Sequence, residues 1–308
     1  MAAELVHCGY HKALVISELG LAKSTYYYKP TSGKPGRPQT SSILVDGVPK
    51  PNQEVLGQLA QEFVGQEYLD YGYRRLALVA REKAITVNHK KLYRLMREAK
   101  MLKKRVARPV TTRTLSPERK PRPKAPFECL ELDFKYIYCP SASQNVYLLT
   151  MLDVFTRRII AHSLDKRMRR DRVIEMVKQV KADHPEVTSM GLRTDNGCQF
   201  TAKEVADYLK VSNIKHEFTK PATPQENGHI EAWHATLERE YLGRNAPQTY
   251  SELTKGLQDY ILVYNSKRAH SALKYQTPEA FYKAWITQQT LLKAEEPKEA
   301  PPAESHIK

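Results

Sequence analysis

The sequence predicts an α/β domain over residues 126–288, preceded by small all-helical units. Three observations predict it. Between Glu128 and Leu164, three runs of apolar, aromatic and β-branched residues are separated by brief connections, the pattern of an antiparallel meander. From Asp171 to Tyr241, apolar residues at three- and four-residue spacing alternate with short β-branched runs, so helices and strands take turns. Between Glu54 and Arg97 the apolar residues fall at helical spacing.

Residues 1–30 read as a short helical pair, Leu14 to Leu19 and Lys23 to Tyr28, about a turn at Gly20-Leu21-Ala22. The pair is either a minimal helix-turn-helix with Ser, Thr and Lys facing phosphates or an amphipathic pair packed on a neighbour. Residues 31–52, rich in Gly, Pro, Ser and Lys, read as a linker. Residues 53–102 carry three helices, marked by Val55, Leu59, Phe63 and Val64, then Leu76, Val79 and Ala80, then Leu92, Leu95 and Met96. Ala84 to Val87 turn the chain, and Asn88 is placed to cap the third helix. That helix has a basic side of His89, Lys90, Lys91, Arg94 and Arg97, suited to a DNA major groove or, more blandly, to solvent. Residues 103–125 hold nine Lys or Arg, including Lys103, Lys104, Arg105 and Arg108, against the single acid Glu118. Prolines keep this stretch extended, and it reads as a basic strap along a DNA backbone.

In the α/β domain, Leu132, Phe134, Tyr136 and Tyr138 alternate with Glu131, Asp133 and Lys135, which gives a first strand with two different faces. Val146 to Val154 and Arg158 to Leu164 supply the next two strands. A helix from Asp171 carries Val173, Ile174, Val177 and Val180 on one side. Ser189 to Asp195 is a buried strand ending in a carboxylate before an Asn-Gly turn. A helix through Val205 and Leu209, a strand from Ile214 to Phe218 and turn formers at Gln225 to Gly228 lead to the last helix of the series. There Ile230, Trp233, Leu237 and Tyr241 form the buried stripe and Glu231 lies near the N-terminus. Residues 289–308 read as a disordered tail.

Asp133, Asp195 and Glu231 thus arise on two strands and a helix, with 35 residues between the last two. Phosphodiester transfer spreads negative charge over attacking, leaving and equatorial oxygens, and hard divalent cations held by carboxylates can clamp both ends of such a displacement. No His or Cys ligand is needed for that chemistry. Asp153 rivals Asp133 as the first carboxylate, and Glu226, which falls in a turn, rivals Glu231.

This triad, with its TDNG and PQENG contexts, resembles the DDE triad of the retroviral integrase superfamily and its bacterial transposases. The segment YGYRRLALVAREKAITVNHKKLYRLMREAKML resembles the helix-turn-helix that precedes the core in orfB-type transposases of the bacterial insertion-sequence-three family. Tyr264 to Leu273 with Thr277-Pro278 resembles their C-terminal YNxxRPHxxL and TP motif, Ala269 standing where proline is usual. Arg268 and His270 in it either hold a phosphate or brace the Glu231 helix. Arg193-Thr194 and Phe134-Lys135 also depart from the usual pattern.

The resemblance implies a ribonuclease-H-like core in which Asp133, and not Asp153, is the first catalytic residue and metal ligand, joined by Asp195 and Glu231. It implies two Mg²⁺ per site, with Mn²⁺ as a substitute, and DNA cleavage at transposon ends followed by strand transfer through a circular intermediate. The implied partners are double-stranded DNA, at least one further copy of the chain and a fusion product from an upstream reading frame. Two other classes remain open: a DNA-binding protein derived from such an enzyme, and a nuclease of the same fold that does not join.

Charge agrees with a polyanionic partner: 49 Lys and Arg against 34 acids give +15, and the pI is near 9.5. No apolar run has the length of a membrane span and no signal-peptide core is present, so a soluble, cytoplasmic protein acting at the nucleoid is expected. Cys8, Cys129, Cys139 and Cys198 are scattered and read as reduced thiols. His7, Cys8 and His11 lack a second nearby cysteine, which argues against an N-terminal zinc module.

Overall fold

Strand β4 (Leu130–Cys139) is the axis of the α/β domain. It pairs antiparallel along its whole length with β5 (Gln144–Asp153), from Leu130 opposite Asp153 to Cys139 opposite Gln144. β6 (Ile159–Asp165) extends the meander, while β7 (Met190–Thr194) and β8 (Ile214–Phe218) add parallel strands on the other side, giving the order β6-β5-β4-β7-β8. The chain is seen in a computed structural model that describes residues 2–27, 40–64, 71–102, 122–220 and 224–295. The greater part of the expected basic strap, with Lys103, Lys104, Arg105 and Arg108, lies outside the described residues, as does the end of the chain from 296.

Two apolar layers enclose the sheet. Leu130, Leu132 and Phe134 point to one face, with helices α7 (Arg170–Asp183) and α9 (Lys203–Val211); Phe200, on the short α8 (Cys198–Thr201), joins that layer. Ile137, Cys139 and Val146 point to the other, beneath α10 (Gly228–Leu237) and α12 (Tyr250–Ser266). Ile230, Trp233, Leu237 and Tyr241 are all buried, as their spacing requires. Past Leu237 the chain makes a π-helical turn over Glu238–Leu242, which brings the consecutive Glu240, Tyr241 and Leu242 inside. Such a turn inserts a residue and re-aims side chains. It leads through α11 (Gly243–Asn245) into α12. Gly256 on α12 admits the Tyr241 ring, since a Cβ there would sit 2.0 Å from the Tyr241 hydroxyl.

The N-terminal region differs from expectation in its strands. Helices α1 (Ala2–His7), α2 (Lys12–Glu18) and α3 (Lys23–Tyr26) precede a β-hairpin, β1 (Ser42–Val45) and β2 (Val48–Pro51), where a linker was expected. Its turn is Asp46-Gly47 with φ of 50° and 80°, the left-handed pair that the tightest hairpins demand. β3 (Ile85–Thr86) adds to β1, so a two-residue strand lies within the expected turn of Ala84 to Val87. Ile43 is buried with Val55, Leu59, Leu76 and Leu92 from α4 (Asn52–Val64), α5 (Tyr73–Glu82) and α6 (His89–Glu98). The folded unit therefore begins near Ser42. Asn88 caps α6 by accepting the Lys90 N–H at 2.8 Å, as expected. At the other end α13 (Pro278–Glu295) runs past residue 288, because Leu291, Leu292, Lys293 and Ala294 continue its helix-forming sequence into the supposed tail. Among the described residues no helix is long and apolar enough to cross a membrane.

Candidate active site

The site forms where β4 and β7 part. The two strands are in register only at Leu130 opposite Leu192 and Glu131 opposite Arg193. Two residues further on, Asp133 and Asp195 fall on the same face as that last pair, at the carboxyl end of β7, where open α/β sheets hold their ligands. The third element arrives through Glu131, whose side chain is fully buried. Its Oε2 accepts the backbone N–H of His229 at 3.1 Å and of Ile230 at 2.8 Å, and its Oε1 lies 2.9 Å from His229 Nδ1. A carboxylate on the open N–H groups of a helix N-terminus is favourable both as hydrogen-bond acceptor and as charge. The residue after those two amides is Glu231.

The electrostatics tie the three carboxylates together. Burial pushes the Asp133 carboxyl up to about 7; the Phe134 N–H, donating to it at 2.8 Å, opposes this, and the charges of Asp195, Glu231 and Glu131 add to it. Glu231 is raised as well, by burial and then by Glu131. Asp195 Oδ1 accepts the Gly197 N–H at 2.9 Å, which fixes the turn after β7. Among the described residues no three His, Cys, Asp or Glu side chains converge tightly enough to hold an ion together. Mg²⁺ nevertheless fits the donors present, since it takes carboxylate oxygens a few at a time and keeps waters for the rest. The uncompensated negative charge that burdens Asp133 is what a cation would neutralise.

Three further residues border the site. His234 Nδ1 lies 3.6 Å from Asp133 Oδ2, and burial, with Lys135 nearby, holds its imidazole down to about 3 and hence neutral. Lys135, two residues beyond Asp133 on the same face, pairs with Glu238 at 3.0 Å. Arg193 lies 3.5 Å from Glu131 and 3.3 Å from Glu217. Sequence reasoning gave none of these three, nor Glu131, a role. The signal was the period of two, which puts Glu131 and Lys135 on the Asp133 face and Arg193 on the Asp195 face. That face is covered by α10, whereas Tyr136 and Tyr138 of the apolar set are exposed.

The rivals separate clearly. Asp153 is wholly buried at the end of β5, accepting N–H groups of Thr156 at 2.9 Å, Phe127 at 3.3 Å and Phe155 at 3.4 Å and the Thr156 hydroxyl. It is a turn-closing carboxylate. Glu226 accepts the Lys220 N–H at 3.0 Å within its loop.

Of the residues expected to touch DNA, His89 and Lys90 are exposed on α6. Lys91 instead ties α6 to the segment before the hairpin, donating to Thr40 Oγ1 at 2.8 Å and to the Ser42 carbonyl, and Arg94 lies 3.7 Å from Glu98. Arg268 and His270 are buried. Arg268 donates to both Glu240 oxygens, at 2.8 and 3.0 Å, so the bracing alternative describes its place and a phosphate contact does not.

Fold and site together define an integrase core of ribonuclease-H-like topology behind a helix-turn-helix-like unit. Residues 123–224 and 212–278 match two families, each described as an integrase core domain, and residues 51–109 match an HTH-like domain. A protein of insertion element IS136 from Agrobacterium fabrum is 30% identical over 149 residues, 45% of this chain and 74% of that protein. The transposase of insertion sequence element IS904 from Lactococcus lactis is also 30% identical over 149 residues, 47% of this chain and 58% of that transposase. The magnesium-bound catalytic core domain of HTLV-2 integrase, in its trimeric form, aligns over 52% of this chain and 99% of its own length, with 16% identity and a TM-score of 0.42. The chain belongs to the integrase-core transposases of bacterial insertion elements, a family of polynucleotidyl transferases.

Proposed function

We propose that this chain cleaves DNA at the ends of its element, exposing 3′ hydroxyls, and then joins those hydroxyls to a second phosphodiester. The observation that carries this is the placement of Asp133 and Asp195 where β4 and β7 part, with the N-terminus of α10, which carries Glu231, held to the same strand by Glu131. Asp133, Asp195 and Glu231 are the residues that would hold two Mg²⁺ ions, with Mn²⁺ as a substitute; bound there, such ions neutralise charge on the attacking and leaving oxygens. Glu131 orients the Glu231 helix by accepting its first amides, and Arg193 balances that buried carboxylate. Water in the first step and a DNA hydroxyl in the second are the attacking groups, so no side chain forms a covalent intermediate. Double-stranded DNA lies along the exposed His89 and Lys90 of α6 and along Lys103, Lys104, Arg105 and Arg108. Two ends held together require at least a dimer, the product of the first joining is a DNA circle, and a fusion product from an upstream reading frame completes end recognition.

The test incubates labelled end-containing DNA with the protein or its Glu231→Gln variant, in Mg²⁺ or Mn²⁺, and separates cleaved from joined strands. Random duplexes with Mn²⁺ serve as a permissive substrate. Joined products that vanish in the variant are expected. Cleavage without joining would make the chain a nuclease of the same fold, and equal activity in both proteins would remove Glu231 from the site.

A further inference from the structure

The helix that carries Glu231 is also the place where the helix-turn-helix-like unit meets the core. Glu240, in the π-helical turn that continues α10, has no exposed surface and accepts from Arg268 through two N–H groups and from the Tyr260 hydroxyl at 3.3 Å. Arg75 of α5 reaches the same carboxylate from the helical unit, its Nη1 3.9 Å from Glu240 Oε1. Beside it Tyr71 is buried, its hydroxyl donating to the Lys267 carbonyl at 3.0 Å, while the Arg75 guanidinium lies 5.8 Å from the Tyr71 ring centre. Residues nearly two hundred positions apart in the chain, from two separately packed cores, thus close on one buried glutamate.

The ion pair is geometrically complete without Arg75, since Arg268 already offers both its N–H groups to Glu240 in the bidentate arrangement. Arg239, half-exposed, also donates to Glu240 Oε1 at 3.3 Å, so adding Arg75 places a third guanidinium on this carboxylate and takes it out of water. Both effects oppose its charge, burial most and Arg268 next. His270, 3.3 Å from Arg268, is held neutral at about 3 by burial and by Arg268 and Arg75, so it supplies no compensating charge. Core stability alone gives no reason for this arginine. What it does accomplish is mechanical: it fixes α5 to the turn that ends the Glu231 helix, opposite the end that Glu131 fixes.

We propose that Arg75, with Tyr71, is a positioning residue that docks the DNA-reading unit onto the C-terminal end of α10 and so sets the placement of Glu231. This rests on the transposase function proposed above for the triad. The dock makes the rate of the chemical step depend on a residue that touches neither metal nor DNA. Displacing a reacting group by about 1 Å costs on the order of a hundredfold in rate, so a loosened α10 has a large effect to give.

The test compares full-length protein with Arg75→Ala, Arg75→Lys and Tyr71→Phe. Amide hydrogen exchange over Gly228–Leu242 is read first, because it needs no activity. Single-turnover cleavage of end DNA at saturating protein, and DNA affinity, are read beside it. Expected are faster exchange in α10 and its π-helical turn for Arg75→Ala, a cleavage rate lower by about ten- to a hundredfold, DNA affinity within about twofold, and partial recovery in Arg75→Lys. Unchanged exchange in α10 would overturn the dock. A weakened affinity with an unchanged single-turnover rate would make Arg75 a DNA contact and overturn the proposal equally. If the unaltered protein and Glu231→Gln are alike in activity, Glu231 leaves the site and the rate readout loses its basis, while the exchange measurement still decides whether Arg75 holds α10.

Discussion

Asp133 carries a cost that only its surroundings explain. A carboxyl whose pKa is about 7 in the fold and near 4 in the unfolded chain favours folding while both forms are protonated, and that contribution is lost as pH rises through about 7. In the absence of a cation the protein is therefore expected to lose stability from this group between about pH 4 and pH 7. Two outcomes follow for thermal unfolding. Mg²⁺ should raise the midpoint more at pH 8 than at pH 6, and Asp133→Asn should raise the metal-free midpoint at pH 8, by on the order of a few degrees, while abolishing the Mg²⁺ effect. A Mg²⁺ shift of equal size at both pH values would mean that Asp133 is not the titrating ligand. Lys135 invites a different measurement. Its ammonium, paired with Glu238, lies on the Asp133 face of β4, so if it meets DNA Lys135→Ala should flatten the salt dependence of binding by about one phosphate contact, roughly 0.9 in slope. Were it only the structural partner of Glu238, the slope would stay unchanged. The positions of Asp195 after a strand and of Glu231 in the first turn of a helix were legible because turn formers beside them announce element ends. His234 was not, since its place depends on the packing of α10 against β4 and no local pattern encodes that.

At the scale of elements, the decisive joint is between β4 and α10. Glu131 is a helix cap supplied by a strand some hundred residues earlier in the chain, with both of its oxygens engaged. Removing one member of a buried charged set leaves the others unpaired, which costs about 3–5 kcal/mol. Glu131→Ala should accordingly lower urea stability by that much, and Glu131→Gln by less, because an amide oxygen still accepts the His229 and Ile230 N–H groups. A loss under about 1 kcal/mol for Glu131→Ala would show that solvent replaces the cap. The strands and helices around this joint followed from periodicity, because each buries one face and the alternation of residues records which. The hairpin β1–β2 did not. Its strands are short and contain Pro49, Pro51 and Lys50, which match a linker in composition, and the only strong local signal was the Asp46-Gly47 pair. The π-helical turn was equally hidden, because Ile230, Trp233, Leu237 and Tyr241 keep a helical spacing through it and only the third dimension reveals that Glu240 has turned inward.

For the whole molecule, the excess of positive charge divides into groups that hold the protein together and groups that are free to meet a polyanion. Sequence spacing assigned His89, Lys90, Lys91 and Arg94 alike to one basic face, yet packing sorts them. Lys90 is exposed, whereas Lys91 is part-buried and bridges α6 to the chain at Thr40 and Ser42. Burial lowers its pKa, with Arg94 adding to the effect. Lys90→Ala should then leave the unfolding midpoint unaltered and reduce the salt slope of DNA binding by about one contact. Lys91→Ala should do the reverse: the unfolding midpoint falls while the slope holds, because a part-buried hydrogen-bonded cation is lost and no phosphate contact with it. Salt titrations of both variants, run beside thermal unfolding, decide the division. Equal slopes lost in both would mean that α6 meets DNA through its whole basic face and that the bridge to Thr40 opens on binding.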